Sequence, residues 1–112
     1  MNIAIVGSRD FTDLNMVKRF VESLPQGTTV ISGGARGVDT AAEHTARSMG
    51  FPVRIHSAHW EEFGKRAGFL RNQDIVAEAD LIVAFWDGTS KGTAHTIKLA
   101  ESSGKPCMIV TI

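Results

Sequence analysis

Five short apolar runs rich in β-branched residues, IAIV at 3–6, TTVI at 28–31, PVRI at 52–55, LIVAF at 81–85 and CMIV at 107–110, are each separated from the next by a stretch of helical periodicity. This alternation constrains the fold more than any other feature of the chain. Parallel strands need crossover connections, and those are right-handed, so a helix between each successive pair predicts an open parallel α/β sheet with helices on both faces. The helices are expected near 12 to 24, 37 to 49, 68 to 79 and 92 to 103. In the first, Leu14, Val17, Val21 and Leu24 make one apolar stripe, Thr12 can cap the start, and Pro25 with Gly27 ends it. In the second, Val38, Ala42, Thr45 and Met49 share a face and Gly50 supplies the stop.

The strand sequences also suggest an order. The third run alternates, with Arg54 and His56 flanking Ile55, as an edge strand does, whereas the first and fourth are continuously apolar and belong in the centre. The expected order is 3-2-1-4-5. In such a sheet the chain reverses direction between strands one and four, and ligands bind beyond the carboxyl ends of the strands at that switch.

With 112 residues the chain is expected to form a single domain, so any site must be built from the loops of one sheet. Twelve basic and twelve acidic side chains cancel, which removes a global electrostatic argument for nucleic-acid or membrane attraction. The lone Cys107 lies in an apolar run and fits a small core hydrophobe in a reducing, cytoplasmic setting. No apolar stretch approaches the roughly 20 residues of a membrane span, and no basic leader precedes the first run.

Three loops could carry chemistry. After strand one come Gly7, Ser8, Arg9 and Asp10; after strand two, Ser32, Gly33, Gly34, Ala35, Arg36 and Gly37, followed by Asp39; after strand four, Asp87, Gly88, Thr89, Ser90, Lys91, Gly92 and Thr93. Each joins glycine or hydroxyl residues to one cation. Glycines let backbone N–H groups approach an oxyanion, the next helix N-terminus adds partial positive charge, and Arg or Lys completes the cage. Phosphate is the shared target. A fourth cation, Arg71, is expected in the first turn of the third long helix, next to Asn72; the bland alternative pairs it with Glu61 or Glu62.

Familiar fingerprints are missing. A G-x-G-x-x-G placed on Gly34 and Gly37 would need glycine at Ser32, and no glycine loop contains the G-K-S/T of a Walker motif. His44, His56, His59, His95 and Cys107 lack metal-ligand spacing, so no metal is expected. Asp87, Ser90 and His95 invite a catalytic-triad reading, but capping is the expected role of Asp87 and Ser90. The connection at 57–67 is longer than most strand-to-helix turns and is either a binding loop or a short surface helix whose Trp60 and Phe63 fill the core rim.

The run from Trp60 to Asn72, W-x-x-x-G-x-x-A-G-x-x-R-N, together with the GSR, SGGARGVD and GTSKGT loops, resembles the YspA-like (YpsA-related) branch of the SLOG superfamily across essentially the whole chain. The resemblance implies a Rossmann-like domain that binds nucleotides or nucleotide-derived ligands. Relatives include Lonely Guy phosphoribohydrolases, molybdenum-cofactor carrier proteins and the DNA-processing protein that loads recombinase on single strands. Lonely Guy enzymes cleave an N-glycosidic bond with an Arg before the third crossover helix, matched by Arg71, and a Glu three residues after the Gly-Thr of a PGGxGTxxE loop. Counting from Gly92 and Thr93 puts Thr96 at the Glu position. Without that carboxylate the mechanism lacks its charge stabiliser or base, and Asp10, Asp39 or Glu43 would have to replace it.

The leading expectation is therefore a sensor or carrier of a phosphorylated nucleoside derivative, ADP-ribose-like in kind. The three loops would hold phosphate, Arg71 and Asn72 would reach phosphate or ribose, and Trp60 or Trp86 would stack on a base. A Lonely Guy-like hydrolase is the alternative. Single-stranded DNA binding, which wants a basic track and stacking aromatics, ranks third. The apolar C-terminal run, 107–112, is an expected edge strand that a second copy could cover, giving a homodimer.

Overall fold

A computed structural model describes residues 1–111. The elements run β1 (Asn2–Gly7), α1 (Leu14–Glu22), β2 (Thr29–Ser32), α2 (Val38–Ser48), β3 (Val53–Ile55), α3 (Trp60–Phe63), a 3₁₀ turn (Gly64–Arg66), α4 (Ala67–Glu78), β4 (Leu81–Phe85), α5 (Lys91–Ser102) and β5 (Cys107–Val110). The sheet has the order β3-β2-β1-β4-β5 with every pair parallel. Both the alternation and the order expected from the sequence are present.

Successive side chains of a strand face opposite ways, so each central strand feeds two cores. Ile3 and Ile5 of β1 pack with Val17 and Val21 of α1 and Val38 and Ala42 of α2. Ala4 and Val6 face Ile75 and Val76 of α4 and Ile97 and Ala100 of α5. Full burial of one such aliphatic side chain stabilises by about 1.5–3 kcal/mol. Phe85, ending β4, is held edge-on by Phe11 and Phe20 at centroid distances of 5.6 and 5.9 Å.

Several local expectations shift. Asp13, not Thr12, caps α1: its side chain accepts from Met16 N at 3.1 Å, one residue later than expected. Leu14, the first helical residue, is consequently exposed, and Met16, Phe20 and Leu24 complete the stripe around Val17 and Val21. In α2 the face continues through Thr45 but not Met49, which lies beyond the last helical residue and is exposed.

Segment 57–67 folds into α3 and the 3₁₀ turn. Trp60 and Phe63 stay 53 % and 44 % exposed and do not fill the core rim. At the edges, β3 is only three residues long, whereas β5 leaves Met108 and Ile109 exposed. Ile112, the last residue of the apolar C-terminal run, lies outside the described residues. No helix among the described residues is long and apolar enough to cross a membrane.

Candidate functional site

The turns after β1, β2 and β4 converge with the second turn of α4 and the first turn of α5 where the strand order reverses. They enclose a cavity of about 230 Å³ with Val6, Ile75 and Thr96 among its lining, and with Gly7 and Arg9, Ala35 and Asp39, Arg71 and Asn72, and Ser90, Gly92 and Thr93 as contributions from the surrounding turns. A second cavity of about 250 Å³ shares Arg9, Ala35 and Arg71 with the first and adds Gly33, Gly34, Ser57, Ala58 and Trp60. The two form one crevice, pinched by two arginines.

Arg71 is the fifth residue of α4, one residue deeper than expected and so at the start of the second turn, because the helix begins at Ala67. It turns inward rather than toward Glu61 or Glu62. Its Nη1 donates to the carbonyl of Gly33 at 2.6 Å and its Nε to Asn72 Oδ1 at 3.0 Å. Arginine has donors only, so this bond fixes the orientation of the Asn72 amide, whose Nδ2 faces His95 Nδ1 at 3.2 Å and the Gly92 carbonyl at 3.4 Å. His95 Nδ1 must then accept, leaving the ring proton on Nε2. Burial lowers the His95 pKa. Burial also pulls Arg71 below the ordinary arginine range; Asp39 opposes that shift, and Arg9 adds to it.

Asp39 follows Gly37, the N-cap of α2, whose φ of 82° suits glycine. A Cβ on Gly37 would also come within 2.6 Å of the Arg9 carbonyl oxygen, so this glycine lets the start of α2 pack against the turn that carries Arg9. Asp39 is 5 % exposed and its Oδ2 accepts from Ala35 N at 3.2 Å. Burial pushes its pKa up to about 7 against the lowering effects of the Ala35 N–H and Arg71, with Glu43 adding to the rise. The carboxylate occupies the N-terminal turn of α2, near the exposed Arg36, where the partial positive charge of the helix favours an anion.

Other expected site residues serve the scaffold. Ser32 Oγ donates to buried Glu43 Oε2 at 2.6 Å and accepts from Gly34 N at 3.2 Å. Ser8 is buried, and its Oγ accepts from Asp87 N at 3.1 Å, tying the first loop to the third. Asp87 Oδ1 accepts from Thr89 N and Ser90 N at 2.9 and 2.8 Å, which holds its pKa below the usual carboxylate value. Ser90 caps α5. Asp87 and Ser90 thus cap and shape the turn, while His95 bonds Asn72, and the three do not assemble as a triad.

Of the four cations, the structure brings Arg9 and Arg71 together in the crevice. Arg36 is exposed and lines neither of the two cavities, and Lys91 lines a groove on α5 with Ala94, His95 and Lys98. Trp86 borders that groove and another beside Asp87 and Gly88, with its Nε1 donating to the Ser90 carbonyl at 3.1 Å. Trp60 alone of the two tryptophans reaches the crevice. No local pattern signals the Asn72–His95 contact, but Glu43 lies one helical turn after Asp39, a spacing that could have flagged the buried carboxylate pair.

A parallel sheet in this order, with a polar crevice at its switch point, defines a Rossmann-like α/β protein. The chain belongs to the family of the Gene 61 protein of Mycobacterium phage D29, with 41 % identity over 114 residues, covering 93 % of this chain and 91 % of that one. Residues 1–54 match the family model described as DNA recombination-mediator protein A. Among solved structures, DNA processing protein A from Streptococcus pneumoniae superposes with a TM-score of 0.85 at 19 % identity, covering 96 % of this chain and 49 % of that one. DNA processing protein A from Helicobacter pylori, in a structure described by its single-stranded DNA binding mode, gives 0.75 at 20 %, covering 97 % and 64 %. This chain therefore spans about half of the first and under two thirds of the second; at these identities the likeness is one of fold.

Proposed function

We propose that the crevice binds a phosphorylated nucleoside derivative, as expected for the YspA-like branch of the SLOG superfamily. The observation that carries this reading is the meeting of Arg9 and Arg71 with the N-terminal turn of α5 around one small polar cavity. Two guanidiniums and a helix N-terminus suit phosphate. The second cavity, with half-exposed Trp60 on its wall, is suited to a base. Holding is favoured over cleavage, because Thr96, at the position of the Lonely Guy glutamate, is buried and donates its hydroxyl to the Gly92 carbonyl at 3.2 Å.

The test is a thermal-shift and calorimetric panel of nucleoside monophosphates, dinucleotides and ADP-ribose. A ligand at 100 times its Kd adds about 2.7 kcal/mol of stability. Stabilisation by at least one of them, lost in Arg71→Ala, is expected; no shift with any removes the reading.

The comparisons favour a second reading, single-stranded DNA. They support it through the match of residues 1–54 to the recombination-mediator model and through the Helicobacter pylori likeness. The same arginines would then hold a backbone phosphate, with Trp60 stacking on a base. Retention of oligonucleotides with an affinity that rises with length and falls steeply with salt would place DNA ahead of the free nucleotide.

A further inference from the structure

A carboxylate inside an anion site needs explaining, because it repels the phosphate that the arginines attract. Asp39 lines the same cavity as Arg9 and Arg71. Its partners are backbone amides alone, Ala35 N on Oδ2 at 3.2 Å and, more weakly, that of Gly33. A carboxylate offers about four acceptor positions. Among the described residues the ion pairs are those of Arg54 and His56 with Glu78, so Arg71 and Asp39 do not close on each other within 4 Å. Both border the space left by the missing side chain of Gly33, where a Cβ would come within 2.7 Å of Arg71 Nη1 and 3.0 Å of Asp39 Oδ2. Both groups thus keep capacity for a ligand.

We propose that Asp39 selects the sugar, accepting hydrogen bonds from the ribose hydroxyls of a ribonucleotide whose phosphate lies between Arg9 and Arg71. This rests on the nucleotide reading of the crevice and adds the ligand class, ribo rather than deoxyribo. Size supports it: about 230 Å³ is below the roughly 300–1,000 Å³ of pockets that enclose a whole drug-sized ligand, so the inner cavity takes only part of a nucleotide. With phosphate at the arginines and the base directed to the Trp60 cavity, the sugar hydroxyls are the donors left to meet a carboxylate. An acceptor built for a hydroxyl discriminates strongly against the analogue that lacks it, since the buried oxygen is then left unpaired.

The test is isothermal titration at pH 8 of the full chain with the four ribonucleoside 5′-monophosphates, their 2′-deoxy and 3′-deoxy counterparts, and a 5′-phosphorylated DNA oligonucleotide. The tightest ribonucleotide is expected to bind at least about tenfold better than one or both of its deoxy forms, the order lost with one hydrogen bond to a charged group. In Asp39→Asn that ratio falls to within about threefold, checked on protein shown to be folded by circular dichroism. Equal affinity of the wild type for ribo and deoxy forms overturns the role of Asp39 and leaves the nucleotide reading intact. Binding of the DNA oligonucleotide with none of the monophosphates overturns both. Because the wild-type comparison needs no variant, the result stands even if Asp39→Asn fails to fold.

Discussion

Arg71 and Asp39 approach the same α-carbon, that of Gly33: a methyl group built there would lie 2.7 Å from Arg71 Nη1 and 3.0 Å from Asp39 Oδ2. One glycine thus sets the spacing of the inward-turned arginine of the crevice and its buried carboxylate, and it does so without a left-handed backbone angle.

Gly33→Ala is therefore a selective lesion. The closest clash is with the end of a flexible side chain and the next, at 3.0 Å, with Asp39 Oδ2, so Arg71 is the group displaced, at a cost of about 0.5–1.5 kcal/mol, the scale of a forced rotamer. Urea unfolding should show only this small loss, while affinity for the best phosphorylated ligand of the panel drops about tenfold or more. Unchanged affinity would mean that Arg71 does not contact the anion.

Stability should carry the signature of Asp39. Its pKa rises from 3.8 to about 7 on folding, so the native state holds the proton more tightly than the unfolded chain. The sign follows: this group's contribution is fully present below about pH 4 and is lost as pH rises through about 7. Asp39→Asn removes the dependence. Unfolding free energies of wild type and variant, measured from pH 4 to 8, should diverge in favour of the variant by on the order of 2–4 kcal/mol. A constant difference across that range would show that Asp39 is ionised alike in both states.

The strand order, the two-faced core and the location of the crevice were legible because they follow from period-2 and period-3.6 patterning and from parallel connectivity. The direction of individual side chains was not. Ser8 and Ser32 carry the residue type of a phosphate loop, yet both hydroxyls are engaged within the protein, Ser32 by Glu43 from the next helix and Ser8 by the Asp87 amide 79 positions away. Arg36 and Lys91 stand in glycine loops like Arg9, but Arg36 is exposed and lines neither cavity of the crevice, and Lys91 lines the groove on α5. Such outcomes depend on which face of a turn is occluded by a neighbouring loop, and no local pattern encodes that.

Anion binding should couple to the same carboxylate. Sulfate is a dianion throughout pH 6–8, so any change in its affinity reports the protein. As pH falls through about 7, Asp39 becomes neutral and ceases to repel a sulfate held by Arg9 and Arg71. Binding at pH 6 should be about tenfold tighter than at pH 8, because the protonated fraction of a group with a pKa of about 7 changes about tenfold over that interval. Asp39→Asn should flatten the profile. A wild-type profile as flat as the variant's would place the anion elsewhere.

The chain of bonds from Arg71 through Asn72 to His95 makes a spectroscopic prediction. Arg71 Nε can only donate, which commits Asn72 Oδ1 as acceptor and presents Nδ2 to His95 Nδ1. The imidazole must carry its proton on Nε2, and its burial, with Phe69 edge-on at a centroid distance of 4.5 Å, keeps the pKa below the ordinary histidine value. Nitrogen-15 correlation spectra at pH 7.5 should show the Nε2–H tautomer as the dominant form, and titration should place the midpoint below 6.5. In Asn72→Ala the donor to Nδ1 is gone, so the two tautomers should mix. Arg71→Ala should have a weaker effect of the same kind, because it frees the amide to rotate without deleting it. An Nδ1–H tautomer in the wild type would show that the amide is reversed and that Arg71 is held in the crevice by Gly33 alone.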